Sequence, residues 1–383
     1  MIIQSLLDTD LYKFTMQQVV IHRFPDATAE YLFASRSPGI DFSAIADEIR
    51  AEVDAFCALR LAPSEIAYLR TIPYLRDNYI DQLQHLKLSP DAVTITTEPH
   101  FEMRIRGNWY QTILFEVPLL AIVNEVYCRH NYPLTPERRA EGERRLARKC
   151  RMIRESNVPI HLSEFGTRRR YSREWQTCVI DTLLAEIPDA LQGTSNVADA
   201  RRLGINPVGT MGHEYLQAFQ VLSPLAQSQR NALQTWLDEF RGALGIALSD
   251  VIGIDAFLAD FDLLFAKAYD GARQDSGDPI AWGDRLIEHY QALGIDPMTK
   301  VAVFTDSLTI VRAQEIARYF AKRIKTSFGI GTHLTNDLDF DAPQIVIKMV
   351  RCNGRPVAKL SDSPGKSICD DETYLAYMRK VFG

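Results

Sequence analysis

Apolar positions fall into two textures along the chain. In the first third they outline separate helices and antiparallel strands. Leu11, Phe14 and Val19 recur at helical spacing behind Asp8-Thr9-Asp10, where Thr9 or Asp10 is placed to cap a helix running to about Phe24. Ala29–Arg36 reads as a strand, and residues 43 to 90 are helical in pattern with breaks at Pro63 and Pro73. Phe101–Gly107 alternates apolar with polar, as a half-exposed antiparallel strand does. Trp109–Ile122, apolar on both faces, reads as a further strand. Glu137–Glu155 sets Arg and Glu at helical spacing, the pattern of a solvated helix face.

From residue 159 the texture changes to short apolar runs, each ending in glycine or polar residues and followed by a helical segment. Pro159–Leu162 ends at Ser163-Glu164-Phe165-Gly166, and Ala190–Gln192 at Gly193-Thr194-Ser195-Asn196. Asn206–Val208 ends at Gly209-Thr210-Met211-Gly212-His213, and Ile246–Leu248 at Ser249-Asp250. Gly271–Arg273 ends at Gln274-Asp275-Ser276-Gly277-Asp278, Val301–Phe304 at Thr305-Asp306-Ser307, and Thr326–Phe328 at Gly329-Ile330-Gly331-Thr332. The period is that of βα units, and about seven of them approach a closed (β/α) barrel. Barrels and open parallel sheets both carry their chemistry at the carboxyl ends of the strands, where these residues fall. The tail reads as two strands, Ile345–Met349 and Arg355–Leu360, around Asn353-Gly354, followed by Ser361, Asp362 and Ser363-Pro364-Gly365-Lys366. The expected organisation is α/β. It has an N-terminal α+β domain over 1–130, joined by the tail from about 346 to 383, and an α/β barrel over 131–345.

Charge and composition narrow the function. A formal net charge of −6 over 383 residues, with no basic block beyond Arg168-Arg169-Arg170, argues against nucleic-acid or membrane-surface partners. No uninterrupted apolar run reaches the ~18 residues of a membrane span, and Met1-Ile2-Ile3-Gln4 lacks a signal-peptide pattern. The six cysteines are scattered without a CxxC pair, which points to reduced thiols and a cytoplasmic protein. No HxH or HExxH spacing suggests a metal hydrolase, and neither GxGxxG after a first strand nor GxxxxGK[ST] is present.

The candidate chemistry centres on Ser163–Arg170. Arginine grips carboxylates and phosphates with a planar fork, and Phe165 offers a flat face to a flat ligand. Gly193-Thr194-Ser195-Asn196 and Gly329-Ile330-Gly331-Thr332 read as anion cradles of backbone N–H groups. At one rim they would meet the cations Arg168, Arg273 and Lys359 and the carboxylates Asp275, Asp278 and Asp306. Cations and cradles suit a polyphosphate. The carboxylates suit Mg²⁺ or ribose hydroxyls, Mg²⁺ taking one or two of them with substrate oxygens. His213, at a strand end, is a competent phosphoryl acceptor near neutral pH.

Taken together, Gly209-Thr210-Met211-Gly212-His213-Glu214, Ser163–Arg169 and Arg273–Pro279 resemble the nicotinate phosphoribosyltransferase family. Asp8–Lys13, Gly193-Thr194-Ser195, Phe304–Ser307 and Lys359–Asp362 match it in the same order, and the likeness is greatest to its bacterial ATP-coupled form. The resemblance implies an irregular (β/α) barrel of the type II phosphoribosyltransferase kind. It implies attack of nicotinate on C1 of phosphoribosyl pyrophosphate, giving nicotinate mononucleotide and pyrophosphate, with ATP hydrolysed through a phosphorylated His213. It further implies a homodimer in which Tyr12 of one subunit completes the partner's site. Phe165 and Tyr12 would sandwich the pyridine. Arg168 or Arg273 would bind its carboxylate or the phosphates. Thr210, Gly329, Gly331, Thr332, Lys359 and Ser361 would line the substrates, and Asp275 and Asp306 would assist catalysis and hold Mg²⁺. Ser195 can donate to a carboxylate where an aspartate would repel it, which favours nicotinate over nicotinamide. The rivals are a nicotinamide or quinolinate phosphoribosyltransferase of the same fold and a catalytically inactive nucleotide-binding sensor. An aldolase would want a strand-end lysine, and none of the six strand ends before Thr332 carries one.

Overall fold

A computed structural model describes residues 1–362 and 369–383, so Ser363-Pro364-Gly365-Lys366 lies outside the described residues. The chain divides into two compact units. The first comprises Met1–Glu155, Ser163–Gly209 and Ile330–Lys348, and the second Ser156–Leu162, Thr210–Gly329 and Met349–Gly383.

In the first unit the helix Leu11–Arg23 begins after Asp10 and buries Leu11, Phe14, Met16, Val19 and Val20. The strand Thr28–Ser35 pairs antiparallel with Glu102–Asn108, setting Tyr31 opposite Ile105. Glu102–Asn108 pairs in turn with Val93–Thr96, a short strand the pattern did not announce. Met103 and Ile105 are buried, so the alternation read from sequence is the alternation of burial. Pro63 begins the helix Pro63–Leu69, where a missing N–H costs nothing.

Trp109–Ile122 is not a strand. It forms the helices Trp109–Thr112 and Glu116–Asn131. A continuous apolar run carries no period, and length then arbitrates for a helix. Pro118 supplies a second signal: it sits in the first turn of a helix, where proline is tolerated, but would break the ladder of a central strand. Trp109–Asn131 is long and apolar enough to cross a membrane, yet 89% of its apolar window is buried inside the protein, as in a core helix.

The strand expected over 159–162 lies at Leu162–Glu164, which places Glu164 within it. Its neighbour is Leu191–Thr194, and the Ser195 N–H donates to the Glu164 carbonyl at 2.9 Å. Between them Thr167–Arg169 makes a single tight turn, and Ser172 caps the helix Arg173–Glu186. The strand expected over Asn206–Val208 shrinks to one bridge between Thr194 and Pro207, since proline has no N–H to give a ladder.

In the second unit Ile246–Leu248, Gly271–Gln274, Val301–Phe304 and Lys325–Ile330 pair in parallel in that order. Leu248 stands opposite Arg273, and Gln274 opposite Phe304. Helices follow the strands, among them Pro279–Ala292 and Ile310–Phe320. The strand Ile345–Cys352 turns at Asn353-Gly354 into Arg355–Pro356, with φ of 47° and 71° at the two turn residues, the left-handed pair such hairpins use. The fold is thus α/β, with a parallel succession and an N-terminal α+β portion.

Candidate active site

In the second unit consecutive strand ends converge on one imidazole. Gly212 precedes the helix His213–Leu222, so His213 opens it. Its Nε2 lies 3.0 Å from Asp250 Oδ1 and 3.4 Å from Asp275 Oδ2, with the side chain 10% exposed. Asp250 stands just beyond Ile246–Leu248, and its Oδ2 accepts from Ser276 Oγ at 2.6 Å and from the Lys359 ammonium. Asp275 follows Gly271–Gln274, and its Oδ1 accepts from Thr305 Oγ1 at 2.6 Å. Parallel register brings these groups level.

Burial and the Lys359 ammonium push His213 down to about 4. Burial alone would raise Asp250 and Asp275. For Asp250 the His213 ring when protonated and Lys359 overcome it, and for Asp275 the protonated ring and Arg273 do. Near neutral pH, where the ring is uncharged, Lys359 and the hydrogen bonds on Asp250, and Arg273 with Lys359 beside Asp275, still favour the ionised carboxylates. Two acceptors facing Nε2 require that nitrogen to carry the proton, which leaves the lone pair on Nδ1. Among the described residues, His213, Asp250 and Asp275 also form a group whose ligand atoms lie close enough to hold a metal ion.

The other predicted residues of this unit have defined surroundings. Thr210 Oγ1 donates to the Ile246 carbonyl at 2.9 Å. Asp306 accepts from Ser307 Oγ at 3.0 Å and stands outside the His213 group. Asp278, read as a ligand carboxylate, caps the helix Pro279–Ala292 by accepting the Ala281 N–H at 2.8 Å. Arg273 offers its backbone carbonyl to Ser249 Oγ at 2.8 Å. Gly329 lies within Lys325–Ile330, and Ser361 adopts a φ of 60°. Asp250 was visible in the sequence only as a strand ending. Its position at the carboxyl end of Ile246–Leu248 was the signal that could have promoted it.

The first unit holds the Ser163–Arg170 stretch. Phe165 and Arg168 are half-buried. Arg170 is wholly buried and forked onto Asp8, at 2.6 and 2.8 Å, with Gln176 Oε1 at 3.0 Å. Two of the three guanidiniums of this run have partners within the chain: Arg170 is spent on an internal pair, and Arg169 donates to Gln344. Ser195 Oγ donates to Asp10 Oδ1 at 2.7 Å, so the hydroxyl expected to face a ligand carboxylate faces a carboxyl of its own chain. Tyr12 is half-buried, its ring centroid 5.1 Å from Lys13 Nζ, and Lys13 is paired internally with Glu116. A Cβ on Gly331 would meet the Phe165 carbonyl oxygen at 2.7 Å, so only glycine lets this loop close on Phe165, and Thr332 opens the turn that follows.

Glu164, missed as a titrating group, accepts from Thr194 Oγ1 at 2.5 Å, from Gln176 Nε2 at 3.2 Å and from the Gly166 N–H. Burial outweighs these donors and pushes the carboxyl up to about 7. Between the ordinary carboxyl range and about pH 7 the folded chain keeps a proton that the unfolded chain has released, so this group's contribution to stability falls as pH rises through that window. Relative to wild type, Glu164→Gln should gain about 2–3 kcal/mol between pH 5 and pH 8 in denaturant titrations. A pH-independent difference would show that Glu164 is ionised throughout.

Residues 160–383 match the nicotinate phosphoribosyltransferase (NAPRTase) family, and residues 7–124 match the N-terminal domain of that family. The chain is 52% identical to a nicotinate phosphoribosyltransferase of Burkholderia mallei, covering 100% of this chain and 97% of the relative. It is 51% identical to one of Xanthomonas campestris pv. campestris, with coverage of 100% and 97%. Among solved structures, the nicotinate phosphoribosyltransferase of Vibrio cholerae superposes with a TM-score of 0.93 at 41% identity, covering 100% of this chain and 94% of that one. The Porphyromonas gingivalis enzyme gives 0.93 at 35% identity, with coverage of 99% and 100%. With both parts of the fold matched and relatives similar from end to end, this chain belongs to the nicotinate phosphoribosyltransferase family.

Proposed function

We propose that the protein joins nicotinate to phosphoribosyl pyrophosphate, releasing nicotinate mononucleotide and pyrophosphate, as the first step of NAD salvage from nicotinate. The pyridine nitrogen lone pair forms the bond to C1 as the C1–O bond breaks and pyrophosphate leaves with its electrons. Family membership carries this reading. Tyr12 and Phe165 hold the ring, Arg168 or Arg273 takes the nicotinate carboxylate or the phosphates, and Gly329, Gly331, Thr332, Lys359 and Ser361 line the phosphoribosyl group. Ser195 acts with Asp10 beside the base, a pairing its hydroxyl supports. The chain works as a homodimer, with Tyr12 completing the partner's site.

ATP is a co-substrate, and His213 accepts its γ-phosphoryl group. The observation that supports this is the ring's setting: Nε2–H held between Asp250 and Asp275, with Nδ1 carrying the lone pair. Nδ1 bonds to the γ-phosphorus, the bridging P–O bond breaks, and ADP leaves with the electron pair. Water later cleaves the P–N bond. Asp250 and Asp275 stabilise the ring as it gains positive character. Asp275 fits a Mg²⁺ ligand, since it is ionised and half-buried, and Asp306 is the second carboxylate assigned to the ion. When bound, Mg²⁺ neutralises charge on the phosphate oxygens.

The test is steady-state turnover of nicotinate, nicotinamide and quinolinate with phosphoribosyl pyrophosphate, with and without ATP. The expected result is a kcat/KM for nicotinate about 100-fold above either rival base, raised further by ATP. Preference for nicotinamide or quinolinate would reassign the substrate. No turnover of any base would leave a nucleotide-binding sensor.

A further inference from the structure

The helix Pro136–Arg154 is not merely a solvated charged surface. Arg138, Gly142, Arg145 and Lys149 recur at i, i+4, i+7 and i+11, so they share one face. Residues 333–339 run along that face in the opposite direction. Arg138 Nη2 donates to Asp339 Oδ2 at 3.2 Å. A Cβ on Gly142 would meet Leu338 Cδ2 at 2.5 Å and the Trp175 ring at 2.7 Å, so the glycine makes room for those side chains. Arg145 Nη1 reaches Asp337 Oδ1 at 2.9 Å and also the Leu338 carbonyl. Lys149, whose side chain is 7% exposed, holds Asp337 Oδ2 at 2.6 Å and donates to the His333 carbonyl.

The clamped segment is the continuation of the Gly331-Thr332 loop. Its opposite side is bonded to the Ser163–Arg170 stretch and the residue after it: Thr335 Oγ1 donates to the Gly166 carbonyl at 3.1 Å, Asn336 Nδ2 to the Arg169 carbonyl at 3.1 Å, and the Tyr171 N–H to the Thr335 carbonyl at 2.9 Å. From this geometry we infer that Lys149, with Arg145 beside it, is a positioning residue that fixes the Gly331-Thr332 loop for the phosphates of phosphoribosyl pyrophosphate. The inference rests on the assignment of Gly331 and Thr332 to that substrate. Lys149 touches no substrate in this scheme. Its ammonium joins a carboxylate and a carbonyl of the segment to one rigid helix, which fixes the loop's direction from outside. A bound polyphosphate needs that direction set in advance, because a misplacement of about 1 Å can cost 10²-fold.

The experiment compares Lys149→Met, Lys149→Arg and Gly331→Ala in full-chain enzyme by steady-state kinetics. Methionine keeps the stem and removes the charge. The KM for phosphoribosyl pyrophosphate should rise about tenfold in Lys149→Met with kcat within about twofold of wild type, and Lys149→Arg should recover most of the loss. Gly331→Ala, whose Cβ must displace Phe165 or itself, should raise the same KM. If Lys149→Met does not fold, Arg145→Gln carries the test with the same expected direction. An unchanged KM in Lys149→Met beside a raised one in Gly331→Ala would overturn the positioning role alone. An impaired Lys149→Arg equal to Lys149→Met would overturn it too. An unchanged KM in Gly331→Ala would overturn the loop's assignment and the inference with it.

Discussion

Replacing His213 with alanine should abolish the acid-labile label expected on the wild-type protein from γ-labelled ATP, and with it the expected stimulation of nicotinate turnover by ATP. The expected loss of label is at least about 100-fold, because removing a nucleophile removes the covalent route and not a fraction of it. Basal phosphoribosyl transfer should persist, since departure of pyrophosphate from C1 needs no attack by His213. The wild-type label should also show a characteristic pH dependence. A free imidazole loses half its lone pairs near pH 6.5. Here burial and Lys359 push the ring down to about 4, so label formation should hold level from pH 8 to about 5.5 and decline only toward 4. A decline centred on 6.5 would mean that the His213 ring is open to water and not buried beside Lys359. Label that survives acid and is lost in base would place the phosphoryl group on a hydroxyl.

Asp8→Ala should destabilise the protein by about 3–5 kcal/mol, the range for orphaning one member of a buried ion pair. Arg170 is completely buried and its fork closes on both Asp8 oxygens. Without the carboxylate the guanidinium stays inside with only Gln176 as an acceptor among these partners. The Asp8→Ala, Arg170→Met double variant should recover most of that loss, because replacing both charges by apolar groups is often neutral. Urea titrations of the two single variants and the double decide it. A loss under about 1 kcal/mol in Asp8→Ala would mean that the pair is open to water.

The contrast between His213 and Arg170 explains what the sequence could disclose. Strand-end chemistry was legible because a parallel βα succession puts glycine and polar residues at one edge by construction. His213 and Asp275 were found that way, and they meet. Arg170 could not be assigned, because a run of arginines looks the same whether its members face a ligand or the interior. Its partner Asp8 lies 162 positions away, beyond any local pattern. Trp109–Ile122 was misread for a related reason: a segment apolar on every side has no period, and its length and Pro118 were the local marks of its helical state. The charged face of Pro136–Arg154 was read as solvent-facing because Asp337 and Asp339, which answer its cations, come almost two hundred residues later.

The makeup of the first unit sets the order of events during synthesis. Its apolar segment Trp109–Asn131 leaves the ribosome early, but the same unit requires Ile330–Lys348, which is made far later. At 5–20 residues per second the wait is roughly 10–40 s. Over that interval a stretch greasy enough for a bilayer lacks part of its final cover. Nascent chains arrested before residue 330 should therefore be avid clients of chaperones that bind apolar segments, and chains released beyond residue 348 should not.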